Sequence, residues 1–198
     1  MDAGRMHTVS WEQYVCDLSA VMRALSLRDA NGQELGSAGL DAWVERTVDL
    51  AHGGGCVFFA GNGASASMAS HFSADIAKNV RIRSMVFTDA ALITCVGNDL
   101  SYEDVFSEPL SWQMRQGDMV VLVSSSGNSP NVVKAAKRAR ELRGTVVTLS
   151  AMSPENTLRS LGDLNIYVPA QSYSHAETSH AAILHHWIDA VQRARSLG

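Results

Sequence analysis

Cysteine is scarce in this 198-residue chain: Cys16, Cys56 and Cys95 are an odd number, and none stands in a Cys-x-x-Cys spacing. That argues against both a disulfide framework and a zinc ribbon. No stretch approaches eighteen uninterrupted apolar residues, so no membrane span is expected. An excess of positive charge is missing as well. Sixteen Lys and Arg against twenty Asp and Glu give a formal net charge of -4, which disfavours a nucleic-acid partner gripped through its phosphates. There is no Gly-x-x-x-x-Gly-Lys-[Ser/Thr] run, and that removes the P-loop nucleoside triphosphatases. The first residues, MDAGRMHTVSWEQY, carry no apolar signal core and no cleavage pattern, so a cytoplasmic protein is expected. Internal repeats, low-complexity tracts and Pro/Ser-rich linkers are absent too.

What is there is ordinary globular material, 46% apolar and 18% charged, long enough to bury a real core. Trp11, Tyr14, Val15, Leu18, Val21, Met22 and Leu25 recur at helical spacing, as do Leu40, Trp43, Val44, Val48 and Leu50. Residues 30–38 between them read as a connector. From residue 56 the rhythm changes to short apolar runs at 56–61, 84–89, 119–127, 145–151 and 164–170. Helical patterns are predicted at 65–78, 90–97 with 102–114, 129–143, 155–161 and 174–195. Near-continuous apolar strands alternating with helices imply a parallel sheet covered on both faces. The expected fold is a three-layer α/β/α sandwich with a five-stranded, flavodoxin-like parallel sheet, preceded by helices. Residues 1–38 would form an N-terminal helical segment and 39–198 the main domain, together one globular unit.

Ligands of such sheets bind beyond the carboxyl ends of the strands, and two loops there stand out. Gly61-Asn62-Gly63-Ala64-Ser65 joins a strand to a helix, and its glycines allow a tight turn in front of a helix N-terminus that favours an anion. Ser124-Ser125-Ser126-Gly127-Asn128-Ser129-Pro130 follows another strand, with Pro130 suited to the first helical turn. Either loop alone is an ordinary turn with a serine cap, and Gly61-x-Gly63-x-x-Ala66 is a weak, degenerate dinucleotide fingerprint. The pair fits the three terminal oxygens of a sugar phosphomonoester better than a single pyrophosphate. His71 and Asp75 stand at i, i+4 and share a helix face, where both can reach one metal ion. Glu177 and His185, eight residues apart on the last helix, lie about 80° apart around its axis.

From about residue 40 to 195 the chain resembles the sugar isomerase (SIS) domain family, and within it the phosphoheptose isomerases. The resemblance is carried by GNGASASMASHF (61–72), TCVGNDLSYEDVF (94–106), GDMVVLVSSSGNSPNVVKAAKRARE (117–141) and the histidine-bearing last helix. It implies an aldose–ketose isomerase that converts sedoheptulose 7-phosphate to glycero-manno-heptose 7-phosphate through a metal-assisted enediol. A longer-chain sugar phosphate is a close variant. A non-catalytic scaffold is the competing class, since some relatives use this fold without the chemistry, including one that binds a replication initiator. The implied substrate contacts are Asn62, Gly63, Ala64, Ser65, Asn98, Asp99, Ser124, Ser125, Ser126 and Ser129. An Asn-Asp pair such as Asn98-Asp99 is otherwise a common helix end.

The implied zinc ligands are His71, Asp75, Glu177 and His185. Asp75 or Glu177 would be the base and His185 the acid. Asp75 stands where the family has Glu, and Glu177 where it has Gln. Asp75 is one methylene shorter, and Glu177 is able to take over as base while Asp75 stays a ligand. The segment Lys78-Asn79-Val80-Arg81-Ile82-Arg83 is shorter than its family counterpart, with basic residues best read as solvent-exposed. So is the run Lys134, Lys137, Arg138, Arg140 and Arg143. His175 and His186 read as surface or interface residues, and His180 as a candidate lining residue. The family's tetrameric assembly implies a homotetramer with active sites between subunits. The helices bearing Trp11 and Trp43 are either subunit contacts or plain cover within the chain.

Overall fold

A computed structural model describes residues 9–196. Residues 1–8, on which part of the reading of the N-terminus rests, and 197–198 lie outside the described residues. The elements in chain order are α1 (Trp11–Arg23), β1 (Ser26–Asp29), α2 (Ala38–His52), β2 (Cys56–Gly61), α3 (Ala64–Asp75), β3 (Arg83–Val86), α4 (Ala90–Asp99), α5 (Ser107–Gln113), β4 (Met119–Ser124), α6 (Pro130–Glu141), β5 (Thr145–Ala151), β6 (Leu164–Val168) and α7 (Tyr173–Ser196). The sheet order is β1-β6-β5-β4-β2-β3. β2 to β6 all run parallel, and their order is that of a flavodoxin-like doubly wound sheet.

The sheet has six strands, one more than expected. β1 adds antiparallel to the edge at β6. It escapes a search for apolar runs because Leu27 is its single buried residue, and an edge strand of this kind needs no more. The helix expected at 155–161 is reduced to one short 3₁₀ turn at Thr157–Ser160. The helix expected at 65–78 runs as α3 to Asp75 and then widens into a π-helical turn, Ile76–Val80. Such turns recur at functional sites.

Alternation along each strand splits the core in two. Val57 and Phe59 of β2 face Trp43, Phe72, Leu184 and Trp187 under α2, α3 and α7. Phe58 and Ala60 face Phe87, Leu110, Val132 and Leu158 on the other side. Trp43 stacks on Trp187 with ring centroids 4.1 Å apart. The Trp187 Nε1–H donates to Thr47 Oγ1 at 3.0 Å, and that hydroxyl donates to the Trp43 carbonyl at 2.7 Å. Trp43 is therefore cover within the chain, whereas Trp11 on α1 is exposed. Among the described residues no helix is long and apolar enough to cross a membrane.

His180 of α7 is fully buried, with Nε2 3.2 Å from the Ser150 carbonyl at the end of β5. Burial pushes its pKa down to about 4, against a smaller opposing pull from that carbonyl. The unfolded chain therefore binds the proton at higher pH than the folded one, near the ordinary histidine value of 6.5. Stability is expected to be complete above pH 6.5 and to fall by the order of 3 kcal/mol down to pH 4. Urea midpoints measured across that window check this, with His180→Gln expected to flatten the slope.

Candidate functional site

In a doubly wound sheet the crevice opens where the strand order reverses. Here that point lies between β2 and β4, and the two hydroxyl-rich loops leave these neighbouring strands. They line one cavity of about 250 Å³, with Asn62, Gly63, Ala64 and Ser65 on one side and Ser124, Ser125, Ser126 and Ser129 on the other. All eight loop residues expected to touch substrate are thereby brought together. The first turns of α3 and α6 open onto this cavity, so two helix dipoles present their positive ends to it. Gly63 holds φ +55 in the turn ahead of α3, a region that glycine enters without strain.

The second loop is fastened from behind. Ser124 and Ser129 hydroxyls lie 3.2 Å apart. The Ala151 N–H donates to the Ser125 carbonyl at 3.0 Å, and the Leu158 N–H to the Gly127 carbonyl at 2.9 Å. The first loop is tied to α6 by a reciprocal amide pair. Asn62 Nδ2 donates to Asn131 Oδ1 at 2.9 Å, and Asn131 Nδ2 donates back to Asn62 Oδ1 at 3.0 Å. The Tyr102 hydroxyl adds a 3.3 Å donation to the same Asn62 oxygen. Its turn is pinned by Asp104, whose carboxyl is held below the usual range chiefly by the Lys134 ammonium 2.6 Å away.

Asn131 and Tyr102 were not singled out from the sequence, nor was Tyr173, which lines the cavity from the start of α7. Asn131 left one trace: a polar residue in the first turn of an amphipathic helix, at a position that is 2% exposed. Tyr102 and Tyr173 left none. Asn98 and Asp99 take a different place. They are exposed at the end of α4, where the Asn98 amide donates to the Asp99 carboxylate at 2.9 Å, and neither lines the cavity.

The polar cluster on α3 and α7 is a separate assembly. His71 Nε2 stands 3.3 Å from Asp75 Oδ2. The His185 ring lies 5.6 Å from that of His71, with Phe72 packed 4.7 Å behind it. One ligand atom from each of His71, Asp75 and His185 falls within a 4.8 Å group. Ligands held around zinc at about 2.0–2.2 Å stand roughly 3.4 Å from one another. The His71–Asp75 spacing meets that distance and the His185 ligand atom lies within 4.8 Å of both, so the three residues form a candidate site for a divalent ion. Glu177 stands apart from them. It lines the loop cavity beside Tyr173, two helical turns before His185, or about 12 Å along the axis of α7. Of the four residues expected around one metal, His71, Asp75 and His185 are grouped together and Glu177 lines the loop cavity.

A model of the SIS domain family matches residues 23–151 of the chain. The chain belongs to the SIS domain family. It is 32% identical over 158 residues to a phosphoheptose isomerase of a Shewanella species (strain ANA-3), covering 76% of this chain and 80% of that protein. With a phosphoheptose isomerase of Trichlorobacter lovleyi it shares 30% identity over 156 residues, 76% of this chain and 79% of the relative. Solved structures of two phosphoheptose isomerases share the fold of this SIS domain. The one from Neisseria gonorrhoeae superposes with a TM-score of 0.78 at 24% identity, covering 91% of this chain and 95% of the other. The one from Francisella tularensis gives 0.79 at 21% identity, over 92% and 95%.

Proposed function

We propose that the chain is an aldose–ketose isomerase acting on a phosphorylated ketose of about seven carbons, sedoheptulose 7-phosphate being the preferred substrate. The observation that carries this reading is the pairing of two hydroxyl-rich loops at the strand-order reversal with a His71–Asp75–His185 cluster farther along α3 and α7. The loops take the phosphate through Ser65, Ser124, Ser126 and Ser129 and the two helix N-termini. Glu177 and Asn62 meet the hydroxyls of the chain, and the carbonyl end reaches the cluster. The separation of about 12 Å along α7 suits an extended seven-carbon sugar better than a three-carbon one.

His71, Asp75 and His185 would hold a divalent ion such as zinc, which when bound polarises a carbonyl and its neighbouring hydroxyl. Asp75 takes the carbon-bound proton between C1 and C2, giving a cis-enediol, and returns it to the neighbouring carbon. His185 moves the proton between the two oxygens. Binding energy from the distant phosphate positions the reacting end. Glu177, standing with the loops, serves the sugar hydroxyls and not the proton transfer. Asn98 and Asp99 belong to this reading only through the family resemblance, as substrate contacts.

The reading extends to assembly and place: a cytoplasmic homotetramer of single globular units, with α1 at a contact between subunits. α1 has no buried residue, and Trp11, Val15 and Met22 are exposed on it. Light scattering is expected to give four chains, and Trp11→Glu to reduce that number.

The reaction is tested by incubating the protein with sedoheptulose 7-phosphate and following aldoheptose 7-phosphate by chromatography. Ser124→Ala is expected to raise KM about tenfold with little change in kcat, the cost of one hydrogen bond to a charged oxygen. A fall in kcat with KM unchanged would contradict the phosphate-holding role.

A further inference from the structure

The opposite end of the sheet carries a feature that isomerisation does not use. Five arginines from five segments converge at the amino ends of the strands. Arg46 comes from α2, Arg83 from the start of β3, Arg115 from the turn before β4, Arg140 from α6 and Arg143 from the turn before β5. Arg46, Arg83 and Arg115 line a cavity of about 590 Å³ walled by Gly53, Gly54 and Gly55. Arg46, Arg140 and Arg143 line an adjoining one of about 460 Å³. Arg46 and Thr145 are common to both, so the two form one continuous trough.

Charge is not balanced within it. Asp49, Asp118 and Asp163 are the carboxylates of the trough. Asp118 is buried and accepts from the Cys56 and Arg115 backbone N–H groups at 2.8 and 2.7 Å. Asp163 accepts from the Val146 N–H at 2.8 Å. Among the described residues no ion pair involves any of these three carboxylates, nor Arg46, Arg115 or Arg143. Arg83 donates to the Gly54 carbonyl and Arg140 to the Leu161 carbonyl, which aims their guanidinium groups without neutralising them. All five arginines are exposed, and with five of them against three carboxylates the trough keeps an excess of positive charge in a chain of net charge -4.

We infer that this trough is a second ligand site, separate from the serine loops, that binds a small anion carrying a diphosphate group. Guanidinium forks match phosphate oxygens two at a time and keep their charge at every physiological pH. Three unpartnered forks spread over two joined cavities outnumber what a single phosphate can satisfy, and they suit an elongated polyanion. The volume is that of a small-molecule site. The trough lies at the opposite end of the strands from the serine loops, so a ligand here leaves those loops open.

Titration calorimetry of the intact protein with pyrophosphate and with ADP tests this, using inorganic phosphate as the single-phosphate control. Both diphosphates are expected to bind at least tenfold more tightly than phosphate. Arg46→Ala with Arg115→Ala is expected to weaken them at least thirtyfold. Lys78→Ala with Lys137→Ala, which removes the same charge outside the trough, is expected to change binding less than threefold. Ser65→Ala with Ser124→Ala is expected to leave the arginine-dependent component in place. ADP tighter than pyrophosphate would identify a nucleotide, and equal affinities a free diphosphate. The proposal is overturned by the absence of diphosphate binding at millimolar concentration. Equal losses in the arginine and lysine variants overturn it too, as does loss of all binding in the serine variant. Single-stranded oligonucleotide binding more tightly than either diphosphate would also contradict it.

Discussion

Asp75→Asn is expected to lower kcat for sedoheptulose 7-phosphate about a thousandfold while leaving KM within threefold. In the proposed reading the loops hold the phosphate and Asp75, at the other end of α3, takes the proton, so its loss removes proton transfer and spares anchoring. General acid–base catalysis contributes about 10² to 10⁴, and the asparagine also weakens the His71–Asp75 ligand pair. Glu177→Gln separates the two carboxylates. It restores the residue type that the family resemblance implies, at a position that lines the loop cavity, so a change of less than tenfold is expected, mostly in KM. Steady-state kinetics on both variants, with bound zinc measured by atomic absorption, checks this. A larger loss of kcat in Glu177→Gln than in Asp75→Asn would reverse the assignment of the base.

Gly127→Ala carries the second large effect. The residue holds φ +64 in the serine loop, and an added Cβ would stand 2.0 Å from Asn156 Oδ1. Asn156 has nowhere to go. It is 3% exposed, and its amide donates to Ser150 Oγ at 3.1 Å and to the Ser153 carbonyl at 2.7 Å. Its oxygen accepts the Arg159 N–H at 3.0 Å. The clash and the left-handed backbone together are expected to cost about 3 kcal/mol or more. The loop is expected to shift enough to raise KM at least tenfold. Gly54→Ala is the control, because Gly54 has φ +69 with nothing within 4 Å of the added atom. It should lose only about 1–2 kcal/mol and keep its KM. Urea denaturation and kinetics on the two variants read the difference.

The parallel sheet and both loops were legible in the sequence because each rests on local pattern. Apolar runs such as MVVLV mark strands buried on both faces, and Gly-x-Gly and Ser-Ser-Ser-Gly stretches mark turns that small residues alone can make. β1 was hidden because Ser26-Leu27-Arg28-Asp29 buries one side chain at an edge. Tyr102 and Asn131 were hidden for a different reason. They come to Asn62 from 40 and 69 residues away, by a convergence that only the folded sheet produces. The i, i+4 spacing of His71 and Asp75 was readable as one helix face, and His185 meets them as expected. Glu177 was grouped with them through the family resemblance; in the structure it lines the loop cavity, and eight residues of α7 set it about 12 Å from His185 along the axis, a separation that an angle around the helix does not report. The arginine trough is likewise invisible in sequence, where Arg83 and the α6 run read as scattered solvated charges.

Proton exchange by NMR in D2O tests the central claim most directly. Zinc-loaded protein is incubated with sedoheptulose 7-phosphate, and the C1 signals of the ketose and the appearing aldose are followed. The account predicts deuterium incorporation together with aldoheptose 7-phosphate, both lost in the Asp75→Asn, His185→Gln double variant. Incorporation without product would keep the enediol chemistry and assign it to another sugar phosphate. No incorporation with zinc bound would contradict the isomerase and leave the fold as a phosphosugar-binding or protein-binding scaffold.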